Sequence, residues 1–182
     1  LRVARDAQSI IAARGDFSAQ ADIGGNLTLL SAPNGSFRGR LTVGGKLAQL
    51  IAAGAASSAA GRARIISDGG IGNLLIRGDM SDTDVGVGVR ALAAGREANL
   101  GYLYVGGNFQ RSNVLAGVWN EPGPDAGPAN PFSNSDEDAT PYVPAGFQRT
   151  ARLQRVWIGG TIGTPGAAAG RWAIASKDPA GA

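Results

Sequence analysis

The residues best equipped for chemistry crowd into one stretch of the chain. Asp136, Glu137 and Asp138 are three adjacent carboxylates, with Asp125, Asn134 and Ser135 nearby. Oxygen donors of this kind suit a hard cation, and Ca²⁺ takes about 6–8 of them at roughly 2.3–2.6 Å. A bound ion would offset the repulsion among the carboxylates and stiffen the segment that carries them. The spacing is not that of an EF-hand, which alternates its acids and ends on a Glu, and this favours a solvated loop tip without metal. Asp125, Asn134, Asp136, Glu137 and Asp138 are nevertheless the candidate metal ligands, and Ca²⁺ is the one candidate cofactor. Asp79, Asp82 and Asp84 form a weaker second acidic group, in which Asp82 and Asp84 share a face if the segment is a strand.

Other chemistries are excluded or disfavoured by what the chain lacks. It contains no Cys and no His, which removes disulfides, thiolate metal sites and every Ser-His or Cys-His nucleophile. Glycosidase chemistry needs two carboxyls about 5–9 Å apart in a cleft, with aromatic sugar platforms. Here the acids gather in one loop and aromatics make up only 6% of the residues, so the chain reads as a non-enzyme. The net charge of +3 comes from scattered arginines rather than a dense basic stripe, which argues against a nucleic-acid partner. No apolar run approaches the roughly 18–20 residues that a helix needs to cross a bilayer. The chain begins at Leu1 without a basic-then-apolar secretory signal, as a processed chain or a piece of a longer one would.

What must position these residues is a motif that occurs six times: apolar, any, apolar, Gly or Arg, Gly, polar, apolar. Its copies are Ile11–Phe17, Ala21–Leu27, Leu41–Leu47, Leu74–Met80, Leu103–Phe109 and Val156–Ile162. Alternation before the glycines signals a strand, and the recurrent Gly signals a bend or a positive φ where a Cβ would clash. These structural turn glycines are Gly15, Gly25, Gly45, Gly78, Gly107 and Gly160, at intervals of 10, 20, 33, 29 and 53 residues. One solenoid coil needs about 20 residues or slightly more. The interval of 20 is then a bare coil, the longer ones are coils with inserted loops, and the interval of 10 is a hairpin or an atypical end unit. An apolar residue also recurs seven positions before the Gly, at Ile71, Leu100 and Leu153. Gly is 29 of 182 residues, about twice the usual share of roughly 7%, in keeping with many turns.

The chain divides into an N-terminal segment 1–13, a β-repeat domain 14–176 and a flexible tail 177–182. Residues 1–13 read as a short amphipathic helix or a lone strand, serving as a cap or as a strand given to a neighbouring subunit. Residues 46–60 are Ala-rich enough for a helix, but Gly44, Gly45 and Gly54 bracket them as a strand with a small-residue turn. Asn34-Gly35 has hairpin-turn chemistry. Residues 120–144 hold six of the nine prolines and the acidic cluster, and form an inserted loop of a length that is usually functional or mobile. The two Arg-Gly-Asp triplets, Arg14–Asp16 and Arg77–Asp79, occupy motif slots and need no receptor to explain them. Gly86-Val-Gly88 lacks the third glycine of a dinucleotide loop. Asn26 and Asn34 sit in glycosylation sequons.

Strings such as LTVGGKLAQLIAAG, LYVGGNFQRSNVLAGV and LQRVWIGGTIG resemble the repeats of large secreted β-strand-repeat proteins (IGG/AAG type) abundant in planctomycetes and related environmental bacteria. Leu115–Val118 leading into Gly123-Pro-Asp125 resembles their turn and acidic loop, and the resemblance covers about residues 20–175. It implies a secreted or cell-surface β-solenoid-like module with a structural or adhesive role and no catalytic residues. The expectation is an all-β chain, a short right-handed parallel β-solenoid with loops inserted on one side, the alternative being a β-sandwich or jelly roll. The expected function is an extracellular, self-assembling subunit of a surface filament, sheath or layer, joined head to tail. A carbohydrate- or surface-binding adhesin with a polysaccharide partner is second, and a polysaccharide-acting enzyme third.

Overall fold

A computed structural model describes residues 1–90, 97–118, 150–163 and 173–177. Strand is the only regular structure among them. The first eight strands are β1 (Arg2–Val3), β2 (Ala7–Ile11), β3 (Gln20–Ile23), β4 (Leu27–Phe37), β5 (Arg40–Val43), β6 (Leu47–Ala55), β7 (Ala63–Ser67) and β8 (Ile71–Ile76). They are followed by β9 (Met80–Ser81), β10 (Thr83–Val87), β11 (Leu100–Val105), β12 (Phe109–Gln110), β13 (Asn113–Ala116), β14 (Val156–Ile158) and β15 (Ala173–Ser176).

The strands form two parallel sheets. The first runs β1-β3-β5-β7-β10-β13-β15, and the second contains β2, β4, β6, β8, β11 and β14 in that spatial order. β9 and β12 extend the second sheet from the far end of β6, where Ala55 pairs with Met80. Going along the chain, a strand of the first sheet leads into one of the second, then into a short third station. Phe17, Phe37, Ala55, Met80, Phe109 and Ile162 line up at that station.

Equivalent residues on successive levels make columns, and the inward columns are the core. Leu27, Leu47, Ile71, Leu100 and Leu153 form one, and Leu30, Leu50, Leu74 and Leu103 another. All of these except Leu153, at the edge of the stack, are buried. The sequence reading of Ile71, Leu100 and Leu153 as equivalent positions is borne out. Parallel pairing without helices leaves little room for polar groups inside, so the inward positions are Leu, Ile, Val, Ala and Phe. A smaller second core of Ile66, Val89, Leu115 and Val118 lies apart from the main one.

Several local expectations change. Residues 1–13 contain two short strands rather than a helix or a lone strand, because β1 and β2 find parallel partners in β3 and β4. By contrast, the strand reading of the Ala-rich stretch 46–60 holds over Leu47–Ala55, which is β6, held between β4 and β8, so tertiary pairing overrides alanine's helix propensity. Asn34-Gly35 is no hairpin turn. It sits inside β4, where the register with β6 shifts between Ala32 and Ser36, so the extra residues are taken up as an irregularity of a parallel pair.

The six motif copies are not six equivalent coils. Gly25 and Gly45 turn the chain from the first sheet into the second, whereas Gly15, Gly78, Gly107 and Gly160 lie at the end of second-sheet strands. The interval of 10 between Gly15 and Gly25 is thus the step from the second corner of one level to the first corner of the next. Inserted chain also leaves from more than one place: residues 88–98 and 117–151 follow first-sheet strands, while 56–62 follows the third station.

Candidate functional site

The polar residue of each motif copy makes a ladder along the corners. At the first corner Asn26 donates its backbone N–H (2.6 Å) and its side-chain Nδ2–H (3.2 Å) to Asp6 Oδ1, and Lys46 donates its N–H to Asn26 Oδ1 at 2.8 Å. At the second corner Ser36 N–H bonds Asp16 Oδ1 at 2.7 Å, Asn108 N–H bonds Asp79 Oδ1 at 2.7 Å, and Thr161 N–H bonds Asn108 Oδ1 at 3.0 Å. Each carboxylate or amide therefore pairs a backbone donor of the next level that no strand neighbour reaches. The Ser36 N–H is the main reason the Asp16 carboxyl lies below its ordinary range, and Arg38 adds to it.

Except at Gly15, the glycine beside the ladder residue is needed because a neighbouring level stands so close. A Cβ on Gly45 would meet Asn26 Oδ1 and come within 2.9 Å of the Gly25 carbonyl carbon. On Gly107 it would meet Asp79 Oδ1 and lie 2.9 Å from the Asp79 nitrogen. Of the six turn glycines, only Gly15 has positive φ, at 87°. The expected bend is present at Gly25, Gly45, Gly78, Gly107 and Gly160, but backbone stacking rather than left-handed conformation excludes a side chain there. Both Arg-Gly-Asp triplets are corner pieces whose Asp is already a ladder acceptor.

A second polar constellation covers the turns that lead into the first sheet. Asp84 is fully buried and accepts from Arg62 Nη2 at 2.9 Å and Asn113 Nδ2 at 3.0 Å, with Arg64 at 3.5 Å. Asp82 is paired with Arg111 at 2.6 Å, and Arg62 reaches it at 3.8 Å. The hydrogen bond from Arg111 holds the Asp82 carboxyl below its ordinary value, and the same bond raises Arg111. Arg90 and Asp68 form a bidentate pair at 3.1 and 2.7 Å. Asp82 lies at the bend before β10 with φ of 47°, outside the strand that carries Asp84, so strand alternation does not set a shared face for the two, although Arg62 touches both. Their partners are guanidinium groups, a signal lost in the sequence because those arginines come from levels 20 to 29 residues away.

Beside this network lies a groove of about 220 Å³, lined by Ser18, Gln20, Arg38, Gly39, Arg40, Ser58, Ala60 and Arg62. Residues 58–61 close one wall through reciprocal backbone bonds between Ser58 and Gly61 at 2.9 and 3.0 Å. On the second sheet an aromatic cluster stands out from the face: Tyr104 and Trp157 stack at 4.6 Å with planes 3° apart, and Tyr102 lies 6.3 Å from Tyr104. Arg155 sits 6.0 Å over the Tyr102 ring.

The candidate metal ligands Asp125, Asn134, Asp136, Glu137 and Asp138 lie outside the described residues, as does the loop 120–144. Of the tail, Lys177 still donates its N–H to Ala116 O at 2.9 Å. Asn26 is exposed at the first corner with its amide in the ladder, and Asn34 is exposed with Nδ2 3.4 Å from Ala13 O. No helix among the described residues is long and apolar enough to cross a membrane. The chain matches no protein-family model, and no curated protein or solved structure was found to match it.

Proposed function

We propose that the chain is a right-handed parallel β-solenoid and an extracellular structural subunit that extends end to end into a surface filament, sheath or layer. One observation carries this reading. Among the described residues the exposed large apolar side chains are Leu1 (66% exposed), Ile11 (61%), Val156 (38%), Trp157 (46%) and Ile162 (47%). All of them border the first strands, β1 and β2, or belong to the last level, around β14. Ile11 and Trp157 are the two ends of one outward column of the second sheet, Ile11, Ser31, Ile51, Leu75, Tyr104 and Trp157, whose middle members are half-buried, so large apolar side chains are most exposed at the ends, beside strand edges. Open edges of this kind pair with further strands unless something covers them. The motif's resemblance to the repeats of secreted surface proteins also favours this reading.

The test is sedimentation of the chain over a wide concentration range, with Ile11→Lys and Trp157→Lys as variants. Both side chains are exposed, so the substitutions leave the core intact. The reading expects concentration-dependent polymers from the parent chain and a shift toward monomers in each variant. A parent chain that stays monomeric at high concentration defeats it. If the acidic loop 120–144 holds Ca²⁺, adding the ion raises the melting temperature and chelation reverses the rise; a melting temperature indifferent to both leaves the solvated loop that the spacing favours.

The aromatic cluster favours a second reading, a carbohydrate-binding adhesin module. The outer edge of the Tyr104–Trp157 stack and the Tyr102 ring offer apolar surface to a sugar, with Arg155 alongside. Co-sedimentation with insoluble polysaccharide, lost on Tyr102→Ala, tests it apart from self-assembly.

A further inference from the structure

We propose that the groove at Arg38, Arg40 and Arg62 binds an oxyanion: a carboxylate, sulfate or phosphate, free or carried as a substituent of an acidic polysaccharide. The inference goes beyond the structural role and does not depend on it.

The groove is cationic and its lining holds no acid. Arg38 spends Nε on Asp16 at 2.6 Å and Nη1 on the Ser57 carbonyl at 2.9 Å, which fixes the guanidinium and leaves Nη2 to a ligand. Arg62 is held by Asp84. Arg40 differs. Among the described residues its one side-chain hydrogen bond is a 3.5 Å contact from Nη2 to the Ala60 carbonyl, at the outer limit for such a bond. A guanidinium carries five N–H donors in a planar fork matched to a two-oxygen acceptor, and most of Arg40's are unused.

The register supplies a second, independent observation. Arg40 pairs directly with Arg64 across β5 and β7, and with Gln20 across β3 and β5. Like charges in directly opposed positions destabilise a sheet. Arg64 has Asp84 at 3.5 Å to offset its charge, whereas among the described residues no carboxylate pairs with Arg40. An anion in the groove would supply the missing counter-charge at that point. Ser18 and Ser58 line the same groove with hydroxyls able to donate a further bond, and the Ser58–Gly61 turn holds one wall in place before any ligand arrives. A small groove with fixed donors and one under-paired arginine is suited to a compact, doubly acceptor group rather than to a neutral sugar.

Titration calorimetry of the full chain at low salt, with sodium sulfate, tetragalacturonate and the neutral cellotetraose, tests this. The expected result is saturable binding of the anionic probes and none of cellotetraose. Arg40→Gln should weaken anion binding about tenfold, and Arg40→Lys less. Arg77→Gln is the control, since it removes the same charge from an exposed arginine at the second corner, away from the groove. Much tighter binding of tetragalacturonate than of sulfate assigns the site to an acidic polymer, and equal binding assigns it to a free anion; either supports the shared chemistry. The proposal is overturned if neither anion binds saturably, or if Arg40→Gln and Arg77→Gln weaken binding equally.

Discussion

Asp82 and Arg111 stand at the same turn on neighbouring levels, 29 residues apart, and both have left-handed backbone, with φ of 47° and 42°. Their side chains meet in a bidentate pair at 2.7 and 2.6 Å. For residues other than Gly this conformation costs about 1–2 kcal/mol each. Two features hold it in place: the ion pair, and backbone bonds from Asp82 N–H to Gln110 O at 3.2 Å and from Ala63 N–H to Asp82 O at 3.1 Å. The turn is thus stabilised between levels rather than within one.

This pair sets an acid limit. The Asp82 carboxyl is lowered from 3.8, chiefly by its hydrogen bond from Arg111. A depressed folded-state pKa contributes stability that is present above the unfolded value and lost as pH falls through the folded one. Arg111→Gln should therefore cost under about 1 kcal/mol near neutrality, because Arg111 is largely solvated. The gap from the parent chain should close between pH 5 and pH 2. Melting curves across that range check it, and an unchanged gap at both ends counts against the pair.

Gly107 and Asn108 separate the two jobs of the corner motif. Gly107→Val pushes a side chain into the backbone of the level below and should cost more than about 3 kcal/mol. Asn108→Ala removes the acceptor for Thr161 N–H at a half-buried position and should cost about 1 kcal/mol. Urea unfolding of the two variants decides this, with equal midpoints the contrary result.

Strand content and parallel stacking were legible because the motif repeats and because Ile71, Leu100 and Leu153 keep their distance from the glycines. The identity of the two corners was not. Gly25 and Gly78 carry the same local signature, since both corners pose the same problem: a polar acceptor beside a backbone too close for a Cβ. Only the pairing partners tell them apart, and those lie 20 to 53 residues away. The groove was illegible for the same reason, because Arg38, Arg40 and Arg62 gather through register rather than through sequence. Asn34-Gly35 misled because turn chemistry is local, and the parallel partner β6 outweighs it.

Asp84 should be the most sensitive charged position. It is buried with Arg62 and Asn113 bonded to it, so Asp84→Ala leaves a partly buried guanidinium without its counter-charge, at about 3–5 kcal/mol. Asp84→Asn keeps an acceptor and the shape, and should lose less. If chemical denaturation finds Asp84→Ala within about 1 kcal/mol of the parent, the network is a solvated ornament rather than a support.

Stability should also vary along the stack. β8 is paired on both sides, by β6 and β11, whereas among the described residues β2 is paired by β4 alone. Leu74 is buried in the middle of the core, and its replacement by Ala should cost about 2–5 kcal/mol. Ile10 occupies the equivalent column on the first level and is only partly buried, so Ile10→Ala should cost less and mainly loosen its own level. In stacked repeats each level touches only its neighbours, which lets an end fray without the middle. Hydrogen exchange should then show high protection in β6, β8 and β11 and low protection in β2. Ile10→Ala should lower protection in β2 and β4 while leaving β11 unchanged, and Leu74→Ala should lower it throughout. Uniform protection from β2 to β11, or equal effects of the two variants on β11, would mean that the chain unfolds as one cooperative block.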